Sequence, residues 1–326
     1  MRRARIIATS SYVPENVVTN RDLEQLVNTS DEWITERTGI KERRIAPEGQ
    51  SASDLAYQAS LKALKEAGLK ANDIDLILVA TVSADMLFPS TGCVVQHMLD
   101  AKNAVAFDLN AACSGFLFGL SVANSFIRSG QFHRVLVIGA EVLSRFTDWE
   151  DRTTCVLFGD GAGATILEGT SEDRGILSCD IHSDGSYGDI LYVPAGGSRM
   201  PASPDTVRKR LHFIRMKGNE TFKIAVRTLE SLVVETLKKN NIEPSQLALL
   251  IPHQANLRII QATASRLGLP MDRVVINLER YGNTSAASIP IALDEAVRNG
   301  RVKEGDYILL EAFGGGLTWA STLIKW

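Results

Sequence analysis

The sequence predicts an α/β protein with largely parallel sheets, built from two similar halves around a pseudo-twofold axis. Two observations carry that expectation. Short β-rich apolar runs alternate with helical stretches: "IDLILVATV" (74–82) follows the amphipathic "SASDLAYQASLKALKEAGL", and "RVLVIGAEV" (134–142) follows "GFLFGLSVANSFIRSG". Strands separated by helices in this way favour crossover connections and parallel pairing. The later part of the chain also repeats the earlier one. "LKEAGLKANDIDLILVA" (64–80) aligns with "LKKNNIEPSQLALLIPH" (237–253), "LNAACSG" (109–115) falls opposite "LERYGNTS" (278–285), and "IRSGQFHRVLVIGAE" (127–141) matches "VRNGRVKEGDYILLEA" (297–312). Helix, strand, junction, helix and strand thus recur in order. The expected division is 1–172 and 173–326.

Taken along the chain, each segment has a local reason for its place. "FDLNAACSGFLFGL" (107–120) has a strand-like lead-in to Leu109 and a helical pattern from near Ser114, which leaves Cys113 at the joint. "FGDGAG" (158–163) resembles a phosphate loop, but it leads into the strand-like "ATILEG" and lacks the lysine, so its glycines read as permitting close backbone packing. The Gly/Pro-rich, then basic, stretch 185–210 reads as an excursion between the halves. "LALLIPHQAN" ends its strand at His253, and "RYGNTSAAS" puts Asn283 at the joint equivalent to that of Cys113.

These joints are where open α/β sheets place their chemistry, outside the strand ends. Cys113 at a helix start is expected to feel the positive end of the helix dipole and nearby N–H groups, which favour the thiolate. A core thiol is the plain alternative. His253 lies beside polar Gln254 and Asn256; the other four histidines, at 97, 133, 182 and 212, are assigned no role. Asn283 suits a helix cap as well as a donor. "FGGGLTW" (313–319) follows the strand "YILLEA", and its glycines allow backbone N–H groups beside the thiol, as an oxyanion hole requires.

Composition narrows the function. The 326 residues are 45% hydrophobic and 22% charged, with a net charge of −3, values that disfavour nucleic acid as the main partner. No apolar run approaches the ~20 residues of a membrane span. "MRRARIIATSSYVPENV" lacks a signal-peptide apolar core, so the expected compartment is the cytosol. Cys93, Cys113, Cys155 and Cys179 are too widely spaced for a zinc site and are expected to be free thiols.

Beyond these readings, the chain resembles β-ketoacyl-[acyl carrier protein] synthase III of the thiolase superfamily, along almost its whole length. The resemblance rests on "TSDEWITERTGIKERRI", "AACSGF", "FGDGAGA", "HSDGSYG", "PHQANLRII", "GNTSAAS" and "EAFGGGLTW". It implies a thiolase-like, duplicated αβαβα layered fold. It makes Cys113 the nucleophile, His253 and Asn283 its partners, and the backbone N–H groups of Cys113 and Gly315 the oxyanion hole. Trp33 and Arg152 match residues that sandwich the adenine of coenzyme A, while Thr29, Arg37 and Asn256 match other coenzyme A contacts. Phe88 matches a residue that crosses a homodimer to close the acyl pocket. Lys223, Arg258 and Arg266 match or suit docking of the acidic acyl carrier protein. The implied reaction is the first condensation of fatty acid synthesis, between a short acyl-coenzyme A and malonyl-acyl carrier protein, with no metal or other cofactor.

Related activities fit less well. Degradative thiolases use a second late cysteine, and none follows Cys179; elongating synthases use a histidine where Asn283 stands. Hydroxymethylglutaryl-coenzyme A synthases need a glutamate near "ATVSAD". A synthase III-like enzyme of a secondary pathway and a non-catalytic partner subunit stay open.

Overall fold

The computed structural model describes residues 3–326. The first half runs β1 (Arg3–Tyr12), β2 (Val17–Thr19), α1 (Asn20–Glu24), α2 (Asp31–Thr38), β3 (Glu42–Arg44), α3 (Ala52–Ala67), β4 (Leu76–Ala80), α4 (Thr91–Met98), β5 (Val105–Leu109), α5 (Gly115–Ser129), β6 (Arg134–Val142), α6 (Arg152–Cys155) and β7 (Asp160–Thr170). The second runs β8 (Gly175–Ser183), β9 (Leu191–Tyr192), α7 (Pro204–Arg208), β10 (Arg215–Met216), α8 (Gly218–Asn240), β11 (Leu247–Pro252), α9 (Leu257–Arg266), α10 (Leu278–Tyr281), α11 (Ser288–Arg298), β12 (Tyr307–Gly314) and β13 (Thr318–Lys325).

Two sheets form the body, ordered β1-β7-β6-β4-β5 and β8-β13-β12-β11. The second order repeats the first four strands of the other sheet. Only β4–β5, β4–β6 and β11–β12 are parallel; β1, β7, β8 and β13 pair antiparallel. The sheets are therefore mixed rather than largely parallel. The long antiparallel strands have no crossover helix between them, so the alternation rule did not reach them.

Strand alternation builds the layers. Leu76 and Leu78 of β4 point into a central core with Leu117 and Leu120 of α5, Leu293 of α11 and Ile308 of β12. Ile77 and Val79 point the other way, against Leu55 and Ala59 of α3. On the far side, Leu250 and Leu309 meet Val233 of α8 and Ile260 of α9. The order is helices, sheet, the α5–α11 pair, sheet, helices, which is the αβαβα stack. Successive side chains of a strand face opposite layers, so both faces of each sheet are apolar.

One offset relates the halves. The helix caps Gly68 and Asn241, the helix starts Gly115 and Ser288, and the strand starts Arg134 and Tyr307 all lie 173 residues apart. Cys113 is thus the counterpart of Ala286, and Asn283 that of Asn110, correcting the equivalence of Cys113 with Asn283. The misalignment arose where β5 has no partner strand: its place in the second half is held by α10. The 185–210 excursion likewise lies inside the second half, after β8, as the segment from β2 to β3 follows β1 in the first.

Glycines let the halves meet. A Cβ on Gly139 of β6 would stand 2.1 Å from the Ala286 carbonyl oxygen, and one on Gly163 2.7 Å from Pro290 Cβ. The "FGDGAG" glycines are packing residues, as expected.

Candidate active site

A sharp turn presents Cys113. Ala112 has φ +46°, the left-handed region that a side chain adopts at a cost, and residues 112–114 form a single 3-10 turn before α5. The start of β13 clamps this turn. Thr318 donates its hydroxyl to the Ala111 carbonyl at 2.7 Å, and Ser114 donates to the Thr318 carbonyl at 3.1 Å. Gly314 packs flat against the nucleophile, since a Cβ there would lie 2.6 Å from the Cys113 nitrogen. Gly315 follows, at the site's edge beside the Leu191 carbonyl.

Cys113 is 7% exposed. Burial pushes its thiol up to about 12, opposed by the Ser285 hydroxyl and reinforced by the charge of Glu141. The expected thiolate is therefore not the resting form. Desolvation of the anion outweighs the field of the α5 N-terminus.

His253 is the first residue after β11. Its N–H donates to the Glu311 carbonyl of β12 at 2.8 Å. Its Nδ1 lies 2.6 Å from Ser288 Oγ, which also accepts the Gln254 N–H at 3.3 Å. A Ser288 hydroxyl that donates to Nδ1 leaves the ring proton on Nε2, the tautomer that a hydrogen-bond donor at this position requires. Burial pushes the imidazole down to about 3, so the ring is neutral at physiological pH.

Asn283 sits two residues before the 3-10 turn at 285–287. Its Oδ1 accepts the Ser285 N–H at 2.9 Å, while its backbone pairs with Leu157 and Gly159. Both sequence readings hold together: the oxygen caps the turn, and the amide N–H groups are left to donate. Segment 283–288 thus joins the three candidates. Asn283 is in it, Ser288 bonds His253, and the turn at 285–287 packs on the turn that carries Cys113.

Sequence reasoning missed these two serines and two wholly buried carboxyls. Glu141 ends β6, accepts bonds from Thr81, Val82 and Ser83, and is pushed up to about 7 by burial. Glu311 in β12 is pushed up to about 8, and both its oxygens lack a partner. Thr263 is near enough to lower that value but stands outside hydrogen-bond geometry. The available signal was a glutamate inside each of two apolar runs, "VIGAEV" and "ILLEA".

The coenzyme A candidates fall on one face. The Arg152 guanidinium lies 4.9 Å from the Trp33 ring centroid, and that of Arg37 lies 5.8 Å away. Arg152 also donates to the Asn28 carbonyl, next to Thr29, whose buried hydroxyl has no partner. Asn256 caps α9 through Oδ1 and reaches the Arg37 carbonyl through Nδ2 at 3.0 Å. Trp33 and Arg152 touch directly, so an adenine between them has to part them.

Among the docking candidates, Arg258 and Lys223 share the N-terminal ends of α9 and α8, with the Arg258 guanidinium 5.0 Å from the Phe222 ring. Arg266 is at the other end of α9, roughly 12 Å away at 1.5 Å per residue. Phe88 is 84% exposed beside Leu87 at 88%, on the loop between β4 and α4.

A layered, duplicated fold with a cysteine at one elbow places the chain in the thiolase-like class. Family comparison narrows this. Residues 107–185 match the model of 3-oxoacyl-[acyl-carrier-protein (ACP)] synthase III, and residues 237–326 match that of its C-terminal region. A β-ketoacyl-[acyl-carrier-protein] synthase III of Caldanaerobacter subterraneus is 57% identical, over 99% of this chain and 98% of the relative. The crystal structure of the Aquifex aeolicus synthase III superposes with a TM-score of 0.92 at 50% identity, covering 99% of this chain and 100% of the other. That of Thermus thermophilus gives 0.92 at 44%, covering 99% of each. The chain belongs to the β-ketoacyl-[acyl-carrier-protein] synthase III family and is an acyltransferase.

Proposed function

We propose the following course for the initiating condensation of fatty acid synthesis that this acyltransferase catalyses. Cys113 attacks the thioester of a short acyl-coenzyme A, with acetyl-coenzyme A the expected primer, and holds the acyl group as a thioester. Malonyl-acyl carrier protein then enters and loses carbon dioxide. His253 Nε2–H and the Asn283 amide donate to the enolate oxygen that develops, and the carbanion attacks the acyl-Cys113 carbonyl. The Cys113 and Gly315 N–H groups receive the oxyanion. The β-ketoacyl-acyl carrier protein leaves.

One observation carries this reading: the single segment 283–288 contains Asn283, bonds His253 through Ser288, and packs on the turn that presents Cys113. Neither donor has a charge to lose near neutral pH, because the His253 ring is buried and neutral and an amide does not titrate. The coenzyme A thioester is a substrate, and no other cofactor enters the scheme.

The partners are assigned to three surfaces in this reading. Trp33, Arg152, Arg37, Thr29 and Asn256 form the coenzyme A face. Lys223 and Arg258, with Arg266 farther along α9, form the basic surface for the acidic carrier protein. The exposed apolar loop at Leu87 and Phe88 suits a homodimer in which Phe88 closes the partner's acyl pocket. The halves divide at 172/173, in the turn between β7 and β8. No helix among the described residues is long and apolar enough to cross a membrane, and a cytoplasmic enzyme is the reading we adopt.

A panel of acyl-coenzyme A primers with malonyl-acyl carrier protein tests the assignment. Turnover with acetyl at least tenfold above that with long primers agrees with it. Preference for long or aromatic primers would replace it with a priming synthase of a secondary pathway.

A further inference from the structure

Arg43 of β3 is wholly buried, and the condensing scheme gives it no task. Burial pushes its guanidinium down to about 10, so it stays charged at physiological pH. Among the described residues its bonds go only to neutral oxygens. Nη1 donates to Asn20 Oδ1 at 2.9 Å and to the Val18 carbonyl at 3.2 Å, and Nη2 donates to the Val156 carbonyl at 2.8 Å. Its Nε–H has no partner. Asp22 and Glu42, whose charges act on it from a distance, bond Thr19 and Arg44 instead. A buried cation without an anion carries a large desolvation penalty, which an apolar side chain of its volume would avoid. What its bonds join is therefore the question.

One bond ties Val18 of the neighbouring strand β2, and the other two lead to opposite walls of the coenzyme A face. Asn20, its Oδ1 held by Arg43, turns Nδ2 toward Asp31 Oδ1 at 2.8 Å and the Ile40 carbonyl at 2.8 Å. Asp31 opens α2, and Ile40 follows the Gly39 cap that closes it. Asn20 thus grips both ends of the helix that carries Trp33 and Arg37. On the other side, Val156 caps α6, the single turn that opens with Arg152. The two helices also share an apolar cluster of Leu23, Ile34, Cys155 and Val156, with Trp33 packed against it. Apolar contact is non-directional, whereas hydrogen bonds fix distance and angle. Glycines make room for the Arg43 stem: a Cβ on Gly159 or Gly282 would stand 3.2 or 3.3 Å from the Arg43 Cβ.

Resting on the coenzyme A face assigned to Trp33 and Arg152, we propose that Arg43 braces its two walls. Bonded to α2 through Asn20 and to α6 through Val156, it sets the spacing at which Trp33 and Arg152 receive the adenine nucleotide. The two side chains touch, so an adenine enters only by moving one of them. With both helix backbones held by one guanidinium, the side chains part while the walls stay in place. Binding then costs a rotamer change rather than a helix displacement, and the difference goes into affinity. Arg43 is a positioning residue, since it is buried and acts through Asn20 and Val156. Its effect belongs to the nucleotide of the substrate, not to the thioester or to the chemistry at Cys113.

Rapid-quench mass measurement of acetyl-Cys113 formation on the full chain tests the brace with two donors. One is acetyl-coenzyme A; the other is acetyl-pantetheine, which keeps the arm and thioester but has no adenine nucleotide. Arg43→Met keeps a stem of similar length and loses every guanidinium bond. Asn20→Leu leaves Arg43 its two carbonyls and cuts only the α2 branch. Each variant should raise the acetyl-coenzyme A concentration for half-maximal acylation about five- to twentyfold and change the maximal rate less than about threefold, the pattern of lost uniform binding. Acylation by acetyl-pantetheine should stay within about twofold of wild type, which also shows that the variant is folded. Trp33→Ala should weaken acetyl-coenzyme A in the same way, and Arg43→Met added to it should cost less than about a further twofold, because the wall it positions is gone. Wild-type behaviour of either variant toward acetyl-coenzyme A, equal loss with both donors, or full additivity with Trp33→Ala would overturn the brace. Should Arg43→Met fail to fold, Asn20→Leu carries the same comparison. Trp33→Ala without effect on acetyl-coenzyme A would instead remove the coenzyme A face, and the brace with it.

Discussion

The protonation states of a few buried side chains set what each can do. His253 is neutral, and in the tautomer in which Ser288 donates to Nδ1 it presents an Nε2–H, a donor rather than a base. His253→Ala is therefore expected to lower malonyl-acyl carrier protein decarboxylation about 10²-fold or more while Cys113 still acylates, read by carbon dioxide release and by mass. Equal loss of both steps would reassign His253 to the thiol. Glu311 gives a stability prediction. Its folded value, near 8, stands above the ordinary 4.5. The folded state thus holds a proton that the unfolded chain releases, and stability falls as pH rises from 4.5 to 8. Glu311→Gln keeps the neutral shape and should stabilise by on the order of 1–3 kcal/mol at pH 8.5 and by little at pH 4.5, measured by denaturant unfolding. His253 works in the opposite sense, since its depressed value costs stability as pH falls from 6.5 toward 3. Cys113 and His253 drew notice in the sequence as candidates because reactive residue types stood just past strands β5 and β11, whereas Asn283 follows the helix α10 rather than a strand. Ser285 and Ser288 drew none, because serines in a run of small residues carry no periodic or chemical signal until the turn brings them to a neighbour.

Elements were legible in proportion to their local pattern. The run "RVLVIGAEV" is β6 residue for residue, and α3 lies within its amphipathic stretch. The antiparallel strands were not legible, because pairing direction follows topology rather than composition. The expected alignment of "LNAACSG" with "LERYGNTS" failed for a related reason: α10 replaces a strand, and only the caps and helix starts restore the register. The glycines at the junction of the halves give a sharp test. Gly139→Ala places a Cβ against the Ala286 carbonyl, so it should cost roughly 2–4 kcal/mol by thermal or chemical unfolding, or displace the 285–287 turn and remove condensation. A fully stable, active variant would contradict the packing. At the α8–α9 ends, Arg258→Ala should raise KM for malonyl-acyl carrier protein about five- to tenfold and leave acyl-coenzyme A handling nearly unchanged. Equal loss with both substrates would remove the docking role.

At the scale of the molecule, the proposed site draws on both halves of the duplication. The elbow at Cys113 belongs to the first, and His253 and Asn283 belong to the second, with β6 pressed onto the 285–287 turn between them. The halves were visible as a repeat in the sequence. The five-layer stack was visible only through the family resemblance, because no single segment states which face of a sheet it covers. The homodimer proposed from the exposed apolar loop has a direct test: sedimentation should give twice the 35.5 kDa chain, and Leu87→Asp with Phe88→Asp should shift it to the monomer. A monomeric wild type would contradict the shared acyl pocket. The central claim is that Cys113 carries the acyl group, and the intact mass of the protein mixed with acetyl-coenzyme A tests it most directly. The account predicts one acetyl adduct, located on Cys113 and absent from Cys113→Ala. An adduct that persists in Cys113→Ala, or none on the wild type, would contradict it.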